Sequence, residues 1–82
     1  MPPIKVFALS TCPYCRQARA FLDENGVVYD VVEVDKLSGT ERADAIGEVE
    51  RLSGGTSFPV VVVGDEVIVG YNKSRIQQLI RA

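Results

Sequence analysis

Ile4-Lys5-Val6-Phe7-Ala8-Leu9-Ser10-Thr11-Cys12-Pro13-Tyr14-Cys15 decides the fold. Its first six residues are rich in apolar and β-favouring types and read as a strand. Ser10-Thr11-Cys12-Pro13 breaks that strand and supplies a capping group. Pro13 suits the first turn of a helix, where its missing N–H would have no partner in any case. A strand therefore runs straight into a helix start, with two cysteines at the junction. Beyond it, Tyr14, Ala18 and Leu22 recur every four positions, flanked by Cys15 and Phe21, and Asn25-Gly26 supplies a stop. The spacing predicts a helix of about three turns.

Downstream, Val27-Val28-Tyr29-Asp30-Val31-Val32-Glu33-Val34 is dominated by β-branched residues and reads as a second strand. Ser38-Gly39-Thr40-Glu41 has capping-box spacing, and Ile46, Val49 and Leu52 continue as a helix, weakened by Gly47, that Ser53-Gly54-Gly55 ends. Pro59 to Val63 and Glu66 to Val69 flank Gly64-Asp65, a pair suited to a tight antiparallel hairpin. Asn72 is a fair N-cap for a last helix carrying Ile76, Leu79 and Ile80. The order is β-α-β-α-β-β-α. Strand-helix-strand at the start requires parallel pairing and the hairpin requires antiparallel pairing, so the sheet is mixed. The run Val60 to Val63 predicts burial on both faces, with helices on either side.

Composition narrows the chemistry. The chain has 82 residues, 46% of them hydrophobic and 24% charged, which fits one ordinary domain. Nine Lys and Arg against eleven Asp and Glu give a net charge of -2, which argues against nucleic acid as a partner. There is no His, so a Ser/His/Asp triad, a Cys/His pair and a Cys/His zinc finger are all excluded within one chain. Met1-Pro2-Pro3-Ile4-Lys5 does not begin an export signal, and Val60 to Val63 is far too short to cross a bilayer. A cytoplasmic monomer with no membrane partner is expected.

Cys12 and Cys15 are the only two cysteines. At a helix N-terminus, unpaired N–H groups and the macrodipole stabilise a thiolate, and thiols so placed have pKa values of about 3.5 to 7.5 instead of about 8.5. Cys12 reads as the nucleophile. Cys15 lies almost a turn further on, within reach of the Cys12 sulfur and beside the apolar stripe, so it reads as a more buried resolving thiol. Tyr14 offers a rigid ring at the site mouth. Thr11 either hydrogen-bonds the thiolate or simply ends the strand. The blander alternative is half of a structural metal site. Two thiolates cannot complete a tetrahedral zinc site, so no metal site is assigned to one chain.

Cys12-Pro13-Tyr14-Cys15, Ser57-Phe58-Pro59 at the start of the third strand and the turn ending in Gly70 together make nearly the whole chain resemble the glutaredoxins of the thioredoxin superfamily. The resemblance implies an α/β thioredoxin-like fold in which residues 1–82 form one domain with a four-stranded mixed sheet. It also implies that Pro59 follows a cis bond and faces the cysteines, and that the Phe58 backbone pairs with an extended thiol substrate. Thr11, Pro13, Tyr14, Gly70, Tyr71 and Asn72 complete the substrate-binding candidates. The implied activity is thiol-disulfide exchange on protein or glutathione mixed disulfides, with no permanently bound cofactor and with glutathione as co-substrate.

The segment Val69-Gly70-Tyr71-Asn72 departs from the usual family pattern Gly-Gly-x-Asp at Val69 and Asn72. A backbone approach and an acidic partner for glutathione are both lost there. This keeps open a role as electron donor to ribonucleotide reductase, recharged by a flavoprotein or ferredoxin-linked reductase. A cluster carrier, with iron and sulfur shared between two chains through Cys12, is a third class. Nine of the eleven acids lie between Asp23 and Glu50, whereas Arg16, Arg19, Lys73 and Arg75 lie near the site, as for an anionic ligand or simply a solvated surface.

Overall fold

Residues 3–55 and 57–81 are described by a computed structural model. Met1 and Pro2, part of the N-terminal stretch read as lacking an export signal, lie outside them. The elements are β1 (Ile4–Ala8), α1 (Pro13–Glu24), β2 (Asp30–Glu33), a single 3-10 turn (Val34–Lys36), α2 (Gly39–Ser53), β3 (Val60–Val63), β4 (Glu66–Val69) and α3 (Lys73–Arg81). The sheet order is β2-β1-β3-β4. Strand β1 pairs parallel with β2 and antiparallel with β3, which pairs antiparallel with β4, so the sheet is mixed as expected. Among the described residues, no helix is long and apolar enough to cross a membrane.

Alternation along the strands creates two cores. Ile4, Val6 and Ala8 of β1 join Val61 and Val63 of β3 and Ile68 of β4 on one face, under Leu22 of α1 and Ile76 of α3. Phe7 and Val60 point the other way and meet Val34, Ala45 and Val49 on the α2 side. The valine run of β3 is thus consumed by both layers. Val6, Leu22, Val49, Val60, Val61 and Ile76 are fully buried, each contributing about 1.5–3 kcal/mol of hydrophobic stabilisation. Between β3 and β4, Gly64 takes a positive φ of 60° at the first of two turn residues. A side chain would strain that backbone, and glycine removes the cost.

Several boundaries differ from the sequence reading. The second strand is confined to Asp30–Glu33 because it lies at the sheet edge and its one neighbour, β1, ends at Ala8, opposite Glu33. Residues 27–29 are instead tied to α1. The Val27 N–H donates to the Leu22 carbonyl (3.1 Å), and the Tyr29 hydroxyl donates to Asp23 Oδ1 (3.0 Å). Val34 opens the 3-10 turn. For similar reasons of pairing, β1 stops at Ala8 rather than Leu9, and β3 starts at Val60 rather than Pro59.

Helix ends also sort the expectations. Ser38 occupies the N-cap position of α2 but makes no side-chain cap bond, so the capping box is absent. The chain enters that helix through Gly39 at φ 58°, which turns the first residue out of capping-box geometry. Asn72 does cap α3, its Oδ1 accepting the Arg75 N–H at 3.1 Å. The apolar stripe of α1 is Cys15, Ala18, Phe21 and Leu22; Tyr14, placed in it by spacing, is 62% exposed. Tyr14 lies in the first turn, at the end of the helix that faces the open edge of the sheet, beyond the covered core.

Candidate active site

Register gathers the site. The carboxyl ends of β1, β2 and β4 and the amino end of β3 share one edge of the sheet, since Ala8 stands opposite Glu33, Phe7 opposite Val60, and Val60 opposite Val69. The Cys12 loop, the 3-10 turn, Phe58-Pro59 and Gly70 therefore converge at the end of an α/β sheet where ligand crevices form. The Phe58-Pro59 bond is cis, as the family resemblance implied, and Pro59 is fully buried. Gly70, at φ 82°, donates its N–H to the Pro59 carbonyl at 2.7 Å and locks the two loops together.

Cys12 is itself the N-cap of α1. Its backbone is extended (φ -83°, ψ 120°), Pro13 follows at the first helical position, and its Sγ accepts the Cys15 N–H at 3.4 Å. Sulfur thus takes the place of the oxygen that usually caps a helix. Partial burial pushes the Cys12 thiol up. Hydrogen bonds from the Cys15 side chain and from the backbone of Cys15 and Tyr14 outweigh it, and the net shift is below the ordinary thiol value. Cys15 is 1% exposed. Burial raises its pKa, a backbone hydrogen bond from Leu9 works against that, and the hydrogen bond and charge of Cys12 raise it further, to about 11. The two thiols are both free and chemically unequal.

The other sequence-derived candidates separate into rim and scaffold. Thr11, Pro13 and Tyr14 are exposed beside Cys12, while the hydrogen bond to the Cys12 sulfur comes from the Cys15 backbone rather than from Thr11. Phe58 and Tyr71 are half-buried and pack against the α1–α3 core. Asn72 is exposed but its Oδ1 is committed to the cap of α3. The basic residues near the site are engaged within the chain. Arg75 pairs with Glu66 at 3.1 Å, the Lys73 Nζ sits 5.4 Å from the Phe21 ring centroid, and Arg16 donates to the Ser10 carbonyl at 3.4 Å. Arg19 lies against Tyr29. A groove of about 380 Å³ lined by Lys5, Phe7, Val32 and Glu48 opens on the opposite face from α1 and holds neither cysteine.

One pairing escaped the sequence reading. Asp35, in the 3-10 turn, accepts the Ser10 N–H at 3.0 Å on Oδ1 and the Ser10 hydroxyl on Oδ2. These bonds, the hydroxyl first, hold the Asp35 carboxyl below its ordinary pKa. The available signal was positional. A Ser follows β1 and an Asp follows its parallel neighbour β2, so both emerge at the same edge.

A dithiol at the strand-to-helix junction of this four-stranded fold, with a cis-proline at the same edge of the sheet, defines a thioredoxin-fold thiol-disulfide oxidoreductase with a C-x-x-C active site. Residues 4–68 match the glutaredoxin family. The chain is 30% identical to a glutaredoxin-like 8.6 kDa protein of a rubredoxin operon in Clostridium pasteurianum, over 94% of this chain and 96% of that one. Its fold superposes on a glutaredoxin of Archaeoglobus fulgidus with a TM-score of 0.93 and 43% identity, over 100% of this chain and 89% of that one. It superposes also on a buckwheat glutaredoxin-glutathione complex with a TM-score of 0.78 and 28% identity, over 98% and 74%. The chain belongs to the glutaredoxin family.

Unequal thiols predict ordered alkylation of the reduced protein. Iodoacetamide should label Cys12 first, with an inflection below the ordinary thiol pKa, while Cys15, buried and raised to about 11 beside the reduced Cys12, should be labelled later and at more alkaline pH. Mass mapping across a pH series checks this, and equal labelling of the two at neutral pH would contradict it.

Proposed function

We propose that Cys12 is the attacking thiolate and Cys15 the resolving thiol in the reduction of protein disulfides and glutathione mixed disulfides. The observation that carries this reading is the asymmetry between a half-exposed, helix-capping Cys12 with a lowered pKa and a buried Cys15 raised to about 11. The Cys12 thiolate attacks one sulfur of the substrate, a Cys12–substrate disulfide forms, and the other substrate sulfur leaves and takes up a proton. Cys15 then loses its proton to solvent and attacks the Cys12 sulfur. The Cys12–Cys15 disulfide forms as the second thiol departs, so two electrons have passed to the substrate. Glutathione or a reductase returns them.

Charge orders these steps. Part of what holds the Cys15 proton is the neighbouring Cys12. Once Cys12 is tied up in the mixed disulfide, its negative charge is gone, and Cys15 ionises more readily at the moment it is needed. Tyr14, next to Cys12 in the chain, and the Phe58 backbone, at the same edge of the sheet, would align an extended partner against the sulfur. Cys12→Ser should abolish disulfide reduction. Cys15→Ser should still form a mixed disulfide and retain deglutathionylation by a monothiol route. Activity of Cys12→Ser on a protein disulfide would reverse the assignment.

Recharging by a dedicated reductase is favoured by one local observation. Asn72 Oδ1 is already held by the Arg75 N–H, and Val69, 47% exposed, adds a side chain beside Gly70 where close backbone approach would be needed. Glutathione then lacks an acidic anchor for its ammonium, and losing one charge-assisted hydrogen bond costs about 1.5–3 kcal/mol, or roughly ten-fold to over a hundred-fold in affinity. The paired change Val69→Gly with Asn72→Asp preserves the helix cap, since aspartate caps as well as asparagine. Stopped-flow reduction of the Cys12–Cys15 disulfide by glutathione should be slow in the native chain and at least about ten-fold faster in the double variant. Fast native reduction without gain in the variant would restore glutathione as the ordinary reductant.

A further inference from the structure

The loop that presents Cys12 is short and only half-buried, yet Ser10 is held at every polar group it has. Its N–H donates to Asp35 Oδ1 at 3.0 Å, its hydroxyl donates to Asp35 Oδ2, and its carbonyl accepts from Arg16 Nη2 at 3.4 Å. Two residues further on, the Cys12 N–H donates back to the Leu9 carbonyl at 3.2 Å. Residues 9–12 are thus fixed from two outside points, the 3-10 turn after β2 and the first turn of α1. Leu9 and Cys12 rest against the two cores at either end of this stretch, whereas Ser10, between them, is anchored by these polar bonds.

We propose that Asp35 is a positioning residue for the attacking thiol: its carboxylate clamps Ser10 so that Cys12 is held in the extended N-cap conformation with its sulfur over the Cys15 N–H. This rests on the reading of Cys12 as the attacking thiol. The cap bond of 3.4 Å to sulfur depends on where the Cys12 backbone is set. Releasing Ser10 frees the residues before the cap, and the sulfur spends less time on its donors. Thiolate stabilisation falls with it.

The sign of the effect separates this role from simple electrostatics. The charged groups next to the loop are Asp35 and Lys36 on the 3-10 turn and Arg16 on α1. Were Asp35 felt by Cys12 only as a negative charge, its removal would make the thiolate easier to form and lower the Cys12 pKa. As a clamp, its removal does the reverse. Asp35 is ionised throughout the range of interest, since its pKa lies below the ordinary carboxylate value.

The experiment is a pH series of iodoacetamide labelling of reduced full-length protein, with thermal unfolding of each variant alongside. Asp35→Ala should raise the apparent Cys12 pKa by about half a unit to one unit, slowing labelling in mildly acidic buffer about three- to ten-fold. Asp35→Asn, with one acceptor oxygen and no charge, and Ser10→Ala, which keeps only the backbone bond, should give smaller rises. Ser10→Thr, which retains the hydroxyl, should stay at the native value. Unchanged pKa values in folded variants would overturn the proposal, whatever happens to thermal stability, and so would a fall in Asp35→Ala and Asp35→Asn. If Asp35→Ala does not fold, the Asp35→Asn and Ser10→Ala pair decides by the same sign. Native protein in which Cys12 shows no lowered pKa would instead remove the assignment of the attacking thiol.

Discussion

A single contact, the Cys15 N–H donating to the Cys12 sulfur, links folding to chemistry in this protein. Every helix begins with N–H groups that have no partner inside it, and most chains offer them a hydroxyl or carboxylate oxygen. Here the acceptor is a thiol that gains strength as an acceptor when it ionises. Capping α1 and stabilising the Cys12 thiolate are therefore the same interaction. Pro13, which has no N–H to leave unpaired, makes the first turn compatible with that arrangement. Because the helix turns by a fixed angle per residue, the cysteine placed three positions after the cap falls on the inner face and is buried.

The sheet provides the place for this contact. A parallel β1–β2 pair and an antiparallel β1–β3 pair send the Cys12 loop, the Asp35 turn and the cis Phe58-Pro59 bond to one edge, and the β3–β4 hairpin brings Gly70 there as well. Two cores, one per face, fix that register, since a slip of one residue along β1 or β3 would exchange Val6 and Val61 for Phe7 and Val60. The packing of valines on both faces of β3 thus determines how accurately Pro59 is placed at the edge that carries the dithiol.

Much of this was legible in the sequence because it follows from local rules. Element order came from the strand-breaking Ser10-Thr11, the hairpin pair Gly64-Asp65 and the periodicity of α1 and α3. Asn72 was readable as a cap because it precedes an apolar helical stripe. Where the sequence misled, a tertiary partner decided. Val27 and Tyr29 have strand propensity, but bonds to α1 take them out of the sheet. Ser38 has the right spacing for a capping box, and Gly39 bends the backbone away from it. Asp35 and Ser10 stand 25 residues apart, and nothing local couples them; only the parallel register does.

The central claim is that sulfur capping of α1 stabilises the Cys12 thiolate, and linkage gives its most direct test. A folded-state pKa below the unfolded value means that the unfolded chain holds the Cys12 proton more tightly. Stability from this group is then fully present above the unfolded pKa and is lost as pH falls through the folded pKa. The measurement is the urea unfolding free energy of the reduced protein minus that of Cys12→Ala, followed from about pH 5 to about pH 8, below the range in which unfolded Cys15 ionises extensively. The account predicts that the difference moves steadily in favour of the native protein as pH rises. A difference that stays flat, or that moves toward the variant, would contradict it.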